Sequence, residues 1–272
     1  MLNTLIRATL LLSLAAPLPA AHAADDKLVL TGSSTVAPLA LEIGKRFEAQ
    51  NPGVRVDVQT GGSSRGVADA MNGLADIGLV SRALKPAEAK TLAAHTIALD
   101  GVALVVHASN PVKQLDDAQI KAIYTGRTRN WRETGGPDRP ITVVNKAEGR
   151  STLELFLHYT GLKNSQIRAQ AVIGDNQQGI KTVAGNPGAI GYVSIGAAEY
   201  AVGHGVPIRL LPMGGVEAST DTVQRGSFPL SRPLNLVTRG APSPLAARFV
   251  AFARSPAVRD LIEAQYFVPP PR

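Results

Sequence analysis

The order of apolar and polar positions predicts strands that alternate with helices in the first third of the chain. Apolar residues dominate positions 27–31 and 76–81, and they alternate with polar residues over 54–59, which predicts three strands. Apolar residues three to four positions apart predict helices over 38–50 and 67–72. Because strands that alternate with helices form a parallel sheet with helices on its faces, we predict an α/β fold.

The same pattern continues to the end of the chain. The unbroken apolar run 101–107 predicts a strand that is buried on both faces. Shorter apolar runs predict further strands at 141–145, 171–173, 189–193, 208–211 and 234–237. Periodic apolar positions predict further helices at 116–124, 152–159, 177–184, 245–253 and 257–265.

The first 23 residues have the features of a secretory signal peptide. Arg7 is the only charged residue before Asp25, residues 8–16 are almost entirely apolar, and the Ala-His-Ala of residues 21–23 fits a cleavage site. The chain contains no cysteine, so it offers neither a lipid attachment site nor a disulfide. No later stretch of about 20 apolar residues is present to span a membrane. We expect an exported protein without a membrane anchor.

The charge pattern indicates a small anionic ligand rather than a nucleic acid. The chain carries 28 basic and 21 acidic residues, a formal charge of +7 that raises the local concentration of anions. The basic residues are dispersed and aromatic residues make up only 4% of the chain, so we expect no nucleic-acid partner. The histidines lack the spacing of a metal site, and we expect neither a metal nor another cofactor.

Three short loops rich in glycine and hydroxyl groups each lie between a predicted strand and a predicted helix. They are residues 31–38, 61–66 and 149–152. The first N–H groups of a helix have no partner within the helix and carry a partial positive charge, so such loops bind anions. One loop of this kind would be explained by ordinary helix capping. Three of them predict a cleft that binds a small oxyanion, with phosphate as the first candidate.

Ordered segments of the chain resemble the periplasmic phosphate-binding proteins of phosphate ABC transporters. The opening segment is Gly-Ser-Ser-Thr-Val-Ala-Pro-Leu at 32–39, and the second loop contributes Gly-Ser-Ser-Arg-Gly at 62–66. Further segments that fit this family follow in the same order at 73–82, 100–103, 110–111, 126–136, 187–192 and 228–233. Each segment alone is weak evidence, whereas the ordered set spans nearly all of the chain after the signal peptide.

The resemblance implies a type II periplasmic-binding-protein fold, in which two α/β lobes joined by two crossing strands enclose a ligand cleft. The crossings would lie near residues 101–107 and 229–237. Lobe I would comprise residues 24–106 and 230–272, and lobe II residues 107–229. The resemblance also implies a soluble, periplasmic, monomeric protein without enzymatic activity that binds phosphate and delivers it to an ABC permease.

The candidate ligand-binding residues come from the three loops and from two positions that match the family pattern. They are Ser34, Thr35, Val36, Ser63, Ser64, Arg82, Lys146, Arg150, Ser151 and Thr152. The third loop departs from the family, because Arg150 stands in place of a serine and Ser151 in place of a glycine. Arg150 therefore either turns into the cleft as the main cation or reshapes the pocket for another oxyanion.

The identity of the anion stays open at this point. Phosphate carries a proton at neutral pH that sulfate lacks, so a buried carboxylate that accepts this proton's hydrogen bond would select phosphate. Asp76 and Glu148 are the candidates for that acceptor. The same fold would also suit sulfate, molybdate, tungstate or a small organophosphate, or a sensor role without a transporter.

A serine hydrolase is the alternative from another class of function. Residues 62–66 fit the G-x-S-x-G pattern, which would make Ser64 a nucleophile with partners such as Asp175 and His204. The pattern occurs near the start of the chain, before most of the strands that would have to support a nucleophile. In a hydrolase, the other two loops would also have no function. We therefore expect no catalytic residue.

Overall fold

Nine strands and nine α-helices follow one another along the part of the chain that the structure describes. The structure is a computed structural model that describes residues 26–271, so the predicted signal peptide lies outside the described residues. The strands are Asp26–Gly32 (β1), Val54–Thr60 (β2), Ile77–Val80 (β3), Leu92–His107 (β4), Thr142–Lys146 (β5), Ala171–Ile173 (β6), Ala189–Ser194 (β7), Ile208–Leu211 (β8) and Ser231–Arg239 (β9). The helices are Ala37–Gln50 (α1), Ser63–Asn72 (α2), Asp117–Tyr124 (α3), Ser151–Thr160 (α4), Asn176–Ala184 (α5), Ile195–Gly203 (α6), Thr220–Gln224 (α7), Pro244–Ala253 (α8) and Arg259–Ala264 (α9). Within residues 26–271 no helix is long and apolar enough to cross a membrane.

Most predicted elements are present, and the differences have local causes. α2 begins at Ser63 rather than at residue 67, because its first turn is Ser-Ser-Arg-Gly and lacks the apolar periodicity that marks a helix. The pattern also fails to predict α6 and α7. α6 is a run rich in small residues without a clear polar face, and α7 is only five residues long.

Two groups of parallel strands are joined by two long antiparallel strands. In the first group β1 pairs in parallel with β2 and β3, and in the second group β5 pairs in parallel with β6 and β7. β4 pairs with β9 from Leu92 to Gly101 and with β7 from Val102 to Val106, so it runs from one group into the other. β9 pairs with both β3 and β4. The predicted fold class, two α/β parts joined by crossing strands, is confirmed.

Each group of strands has its own hydrophobic core. Buried side chains from α1, β1, β3, β9 and α8 form the first core, among them Leu30, Ile43 and Phe249. The second core contains a group of aromatic side chains, in which the rings of Phe156 and Tyr192 stack with their centroids 4.1 Å apart. Burial of apolar surface is the dominant favourable contribution to folding. The cores of the two groups are separate and leave a polar region between them, where the loops meet.

α2 packs directly against the first group of strands through glycines. Gly32 has a φ of +136°, and a Cβ at this position would lie 2.9 Å from Cα of Gly66 in α2. A Cβ on Gly78 would lie 2.4 Å from the carbonyl oxygen of Gly66 in α2. Only glycine permits this approach. The contact fixes the first turn of α2 beside the carboxyl ends of β1 and β3.

Candidate anion-binding site

Four buried serine side chains meet between the two cores, and we call them the serine cluster. Ser33 follows β1 in the chain, Ser81 follows β3, and Ser63 and Ser151 are the first residues of α2 and α4; each is at most 2% exposed. Ser81 Oγ lies 2.9 Å from Ser33 Oγ and 2.6 Å from Ser151 Oγ. Ser63 Oγ lies 3.0 Å from Ser151 Oγ and 3.4 Å from Ser81 Oγ. Because each hydroxyl both donates and accepts, the cluster can bind either protonated or unprotonated oxygens.

Three helices begin at the serine cluster. α2 and α4 start with members of the cluster, and a short turn leads from Ser33 into α1. Ser33 Oγ accepts hydrogen bonds from the backbone N–H groups of Thr35 at 3.2 Å and Val36 at 3.4 Å. The other N–H groups of these first turns have no acceptor within their helices. They add partial positive charge to the region around the cluster.

A buried arginine on β9 brings a full positive charge to the cluster. Arg232 Nη1 donates to Thr152 Oγ1 at 3.1 Å and to Ser81 Oγ at 3.4 Å, and Nη2 donates to Thr35 Oγ1 at 3.3 Å. Asp100 on β4 accepts from Nε and Nη2 through one carboxylate oxygen, at 3.1 and 2.8 Å. Neither side chain has exposed surface. The charged pair holds the guanidinium against the hydroxyl groups.

Lys146, at the end of β5, places a second basic side chain behind the cluster. The residue is 3% exposed, and its Nζ donates to Asn176 Oδ1 at 3.2 Å. Asn176 Nδ2 in turn donates to Thr35 Oγ1 at 3.1 Å. Burial is the largest cause that lowers the pKa of Lys146, to about 7, and the nearby charge of Arg232 acts in the same direction.

Arg150 immediately precedes α4, and its side chain extends along the junction of the two parts. A Cβ on Gly62 would lie 2.9 Å from Arg150 Cδ, and a Cβ on Gly174 would lie 3.4 Å from Arg150 Nη2. Its Nε is buried and has no hydrogen-bond partner among residues 26–271. The residue also lines a small cavity at the serine cluster. This placement supports the interpretation in which Arg150 turns toward the cleft.

Arg82 and Ser64 lie in a network of charged side chains beside the cluster. The guanidinium of Arg82 donates to the carboxylate of Glu88 at 2.7 and 2.9 Å, and its Nε lies 3.2 Å from Glu154 Oε2. Lys85 Nζ lies 3.0 Å from the same oxygen, and Ser64 Oγ donates to Glu154 Oε1 at 3.2 Å. Glu154, on α4, therefore links the second part of the protein to the first.

The loops of the two parts touch, so the cleft is closed in this structure. The backbone N–H of Ser64 donates to the carbonyl oxygen of Gly149 at 3.2 Å. Gly62 has a φ of +97°, and a Cβ at this position would lie 2.6 Å from the same oxygen. Glycine at position 62 is therefore needed both for the backbone conformation and for the contact between the loops.

Six of the ten predicted ligand-binding residues line the small cavity at the cluster. They are Ser34, Thr35, Ser63, Arg150, Ser151 and Thr152, together with Ser33, Gly62 and Ser81. Val36 faces the same loop through its backbone N–H, and Lys146 lies behind the cavity. Arg82 and Ser64 belong instead to the network around Glu154, where carboxylates already bind both side chains.

The sequence-based list omits several polar residues that the structure brings to this site. They are Ser33, Ser81, Asp100, Asn176 and Arg232. All except Asn176 lie in segments that resemble the family. This resemblance is the one sequence feature that could have identified them as candidates. The resemblance does not show that Asp100 and Arg232 meet, because they are 132 positions apart.

Neither candidate for the phosphate-selecting carboxylate is hydrogen-bonded to the serine cluster. Asp76 Oδ2 accepts the backbone N–H of Val29 at 2.8 Å, at the start of β3. Glu148 Oε1 accepts from Asn164 Nδ2 at 3.0 Å. Both carboxylates therefore stabilise local structure.

The structure does not assemble the alternative hydrolase site. Ser64 Oγ contacts a carboxylate rather than a histidine. Asp175 accepts a backbone N–H of α5 at 2.8 Å and so caps that helix. His204 Nδ1 lies 2.7 Å from the carbonyl oxygen of Tyr200, at the end of α6. Among the described residues, no group of three or more His, Asp or Glu side chains is placed to hold a metal ion.

Comparison with known proteins places the chain in a family. A family model described as the PBP superfamily domain matches residues 19–257. The chain is 30% identical over 251 residues to the phosphate-binding protein PstS of Bacillus subtilis strain 168, an alignment that covers 90% of this chain and 81% of that protein.

Solved structures agree with this assignment. A phosphate ABC transporter substrate-binding protein with bound phosphate from Clostridium perfringens superposes with a TM-score of 0.83 at 31% identity, over 90% of this chain and 100% of the other. An ABC-type phosphate transport receptor from Vibrio cholerae gives a TM-score of 0.74 at 29% identity, over 89% and 100% of the two chains. These relatives are binding proteins and not hydrolases. Its sequence, its fold and the placement of its loops show that this chain belongs to the PBP superfamily and, within it, to the phosphate-binding proteins of ABC transporters.

Proposed function

We propose that this protein captures inorganic phosphate at the serine cluster and delivers it to an ABC permease. The observation that carries the proposal is the charge of the site. Three basic residues lie at or behind the four buried hydroxyl groups: Arg150, Lys146 and Arg232. Only Asp100 among the described carboxylates is hydrogen-bonded to any of the three. Such an excess of buried basic groups over carboxylates favours an anion.

The number of donors is sufficient for tight binding. A hydrogen bond to a charged group contributes about 1.5–3 kcal/mol net, and a partly buried helix start contributes up to about 2 kcal/mol. Micromolar affinity requires about 8 kcal/mol. The hydroxyl groups of Ser63, Ser81 and Ser151, with Arg150 and the first turn of α4, are enough to supply this.

The proposed mechanism is closure around the ligand. Lobe I would consist of residues 24–106 and 230–272 and lobe II of residues 107–229, with β4 and β9 as the connections about which they move. The contacts of Glu154 with Lys85 and Ser64 would stabilise the closed form. A bound anion shifts the population toward this form, and the permease recognises the closed surface. We further propose that the exported protein works in the periplasm as a monomer.

The site also suggests how phosphate is accepted without a free carboxylate. Asp100 is the buried carboxylate nearest the cluster, and its oxygens already accept from Arg232 and from the backbone N–H of Gly196. Serine hydroxyl groups retain lone pairs that accept the proton of a hydrogen phosphate ion. We therefore expect weaker discrimination against sulfate than a free carboxylate would give.

Isothermal titration calorimetry with phosphate tests the proposal. The protein without residues 1–23, dialysed free of phosphate, should bind one phosphate per chain with micromolar or better affinity. Ser151→Ala should weaken binding about tenfold, because it removes a hydroxyl group of the cluster. The matched control Ser109→Ala alters an exposed serine and should leave the affinity unchanged.

The outcome with other anions distinguishes the alternatives. Binding of sulfate or molybdate without binding of phosphate would keep the site and change the ligand. Failure of the protein to bind any of these oxyanions would contradict the proposed function.

A further inference from the structure

Lys146 has an unusual environment for a charged side chain. The residue is 3% exposed, and its Nζ has one hydrogen-bond partner among the described residues, the neutral amide oxygen of Asn176 at 3.2 Å. A buried ammonium group is costly unless a counter-charge is paired with it. In the absence of an anion, this site therefore favours the neutral amine.

The charged groups that face Lys146 come from several elements. Arg232 on β9 and Arg150 before α4 disfavour a proton on Nζ, and Asp175 before α5 favours one. Tyr192 on β7 accepts the backbone N–H of Lys146 at 3.3 Å and remains neutral, because burial raises the pKa of its hydroxyl. Burial and the two guanidinium groups outweigh the single carboxylate and lower the pKa of Lys146 to about 7.

A short chain of hydrogen bonds connects Lys146 to the cavity. Asn176 joins Nζ of Lys146 to Thr35 Oγ1, and Thr35 lines the cavity at the serine cluster. An anion in the cavity would therefore act on Nζ through buried side chains rather than through bulk water. Electrostatic interactions are stronger in such surroundings than in water.

We propose that Lys146 takes up one proton when a doubly charged oxyanion enters the cavity, so that the site matches its charge to that of the ligand. This inference rests on the proposed function of the same site. In the step, the lone pair of Nζ forms a bond to a proton supplied by solvent or buffer. The ammonium group then becomes a counter-charge for the anion, which favours dianions over monoanions.

The proposal predicts a defined pH dependence. Below about pH 7 Lys146 already carries its proton in the free protein, so binding takes up none. Above that pH one proton is taken up with each anion, and the affinity falls by up to about tenfold for each pH unit. Net proton uptake is the specific readout, because a lysine that only supports the fold would not produce it.

Calorimetry with inorganic phosphate at about pH 8.5 measures this uptake, when it is repeated in buffers with different ionisation enthalpies. We expect wild-type protein to take up close to one proton per bound phosphate. Lys146→Arg has a permanent charge and should bind with uptake near zero. Lys146→Met lacks the amine and should bind at least tenfold more weakly, also without uptake.

The possible results distinguish failure of the proton-uptake proposal from failure of the proposed phosphate binding. Binding by the wild-type protein without proton uptake would overturn this inference alone, and this result does not depend on either variant folding. Uptake that persists in Lys146→Met or Lys146→Arg would also overturn it, because the proton would then reside on the ligand or on another group. Absence of phosphate binding by the wild-type protein would contradict the proposed function itself.

Discussion

Asp100 holds the guanidinium of Arg232 against the serine cluster. One oxygen of the carboxylate accepts from Nε at 3.1 Å and from Nη2 at 2.8 Å, and both side chains are fully buried. The other oxygen accepts the backbone N–H of Gly196 at 3.2 Å, at the start of α6. The pair thus joins both crossing strands to a helix of the second part, and it leaves Arg232 N–H groups directed at Thr152 and Thr35.

Asp100→Asn should lower the stability of the ligand-free protein strongly. The change keeps the shape of the side chain but leaves the charge of Arg232 buried and uncompensated, which costs about 3–5 kcal/mol. Urea unfolding in phosphate-free buffer measures the loss. Glu263→Gln is the matched control, because Glu263 pairs with Arg259 at the surface and such pairs contribute at most about 1 kcal/mol. A loss in Asp100→Asn no larger than in the control would contradict the structural importance of the pair.

Arg150→Ala should lower phosphate affinity at least tenfold without unfolding the protein. Arg150 is one of the residues that line the cavity, and its buried Nε has no partner among residues 26–271, so a bound anion would supply one. Arg65→Ala is the control from the second loop, because Arg65 points to Asp69 and the backbone of Thr60. Titration calorimetry should separate the two variants. Equal affinities would remove Arg150 from the site.

Gly62→Ala should block closure of the cleft. The added methyl group would lie 2.6 Å from the carbonyl oxygen of Gly149 in the opposite loop. Gly73→Ala is a control for backbone strain alone, because Gly73 also has a positive φ, +71°, but has no atom within 4 Å of the added Cβ. Both variants should lose some stability, and only Gly62→Ala should lose phosphate affinity by more than tenfold. A similar loss of affinity in both variants would show that contact between the loops is not required.

Lys146→Met should stabilise the ligand-free protein at low pH and lose this advantage as the pH rises. The pKa of Lys146 falls from 10.5 in the unfolded chain to about 7 in the folded protein. Between these values the unfolded state binds more protons, so the stability of the wild-type protein rises with pH over this window. Below about pH 7 the wild type bears the full cost of a buried charge, which Met removes.

Urea unfolding at about pH 6 and about pH 9 tests this prediction. The gain in free energy of unfolding from Lys146→Met should be larger at the lower pH. Lys113→Met changes an exposed lysine and should show no such difference. A gain that does not depend on pH would mean that Lys146 keeps its proton in both states.

Local sequence signals account for most of the helices and strands. In α3, the Asp116 side chain accepts the backbone N–H of Gln119 at 2.7 Å, and the Gln119 side chain accepts the backbone N–H of Asp116 at 3.0 Å. These two bonds form a capping box, a motif whose residue types can be identified from the sequence. α2 begins earlier than its apolar pattern, because its first turn, Ser-Ser-Arg-Gly, carries no apolar side chain and its first residue, Ser63, belongs to the serine cluster. Functional surfaces of this kind depart from the pattern on which prediction depends.

Long-range contacts explain why part of the site could not be predicted. The three loops could be recognised in the sequence, since each is rich in glycine and hydroxyl groups and lies before a helix. Arg232 and Asp100 reach the cluster from two crossing strands whose pairing is set by the whole fold. Arg82 also lies in a segment that resembles the family, and here its guanidinium contacts Glu88 and Glu154. Its role in binding the ligand stays a prediction.

A crystal structure of the protein grown with phosphate would show directly whether the anion binds at the serine cluster. We predict one phosphate ion enclosed at the serine cluster, within hydrogen-bond distance of Ser151 and of the Arg150 guanidinium. An unoccupied cluster, with phosphate bound elsewhere, for example in the groove lined by Leu41 and Tyr200, would contradict it.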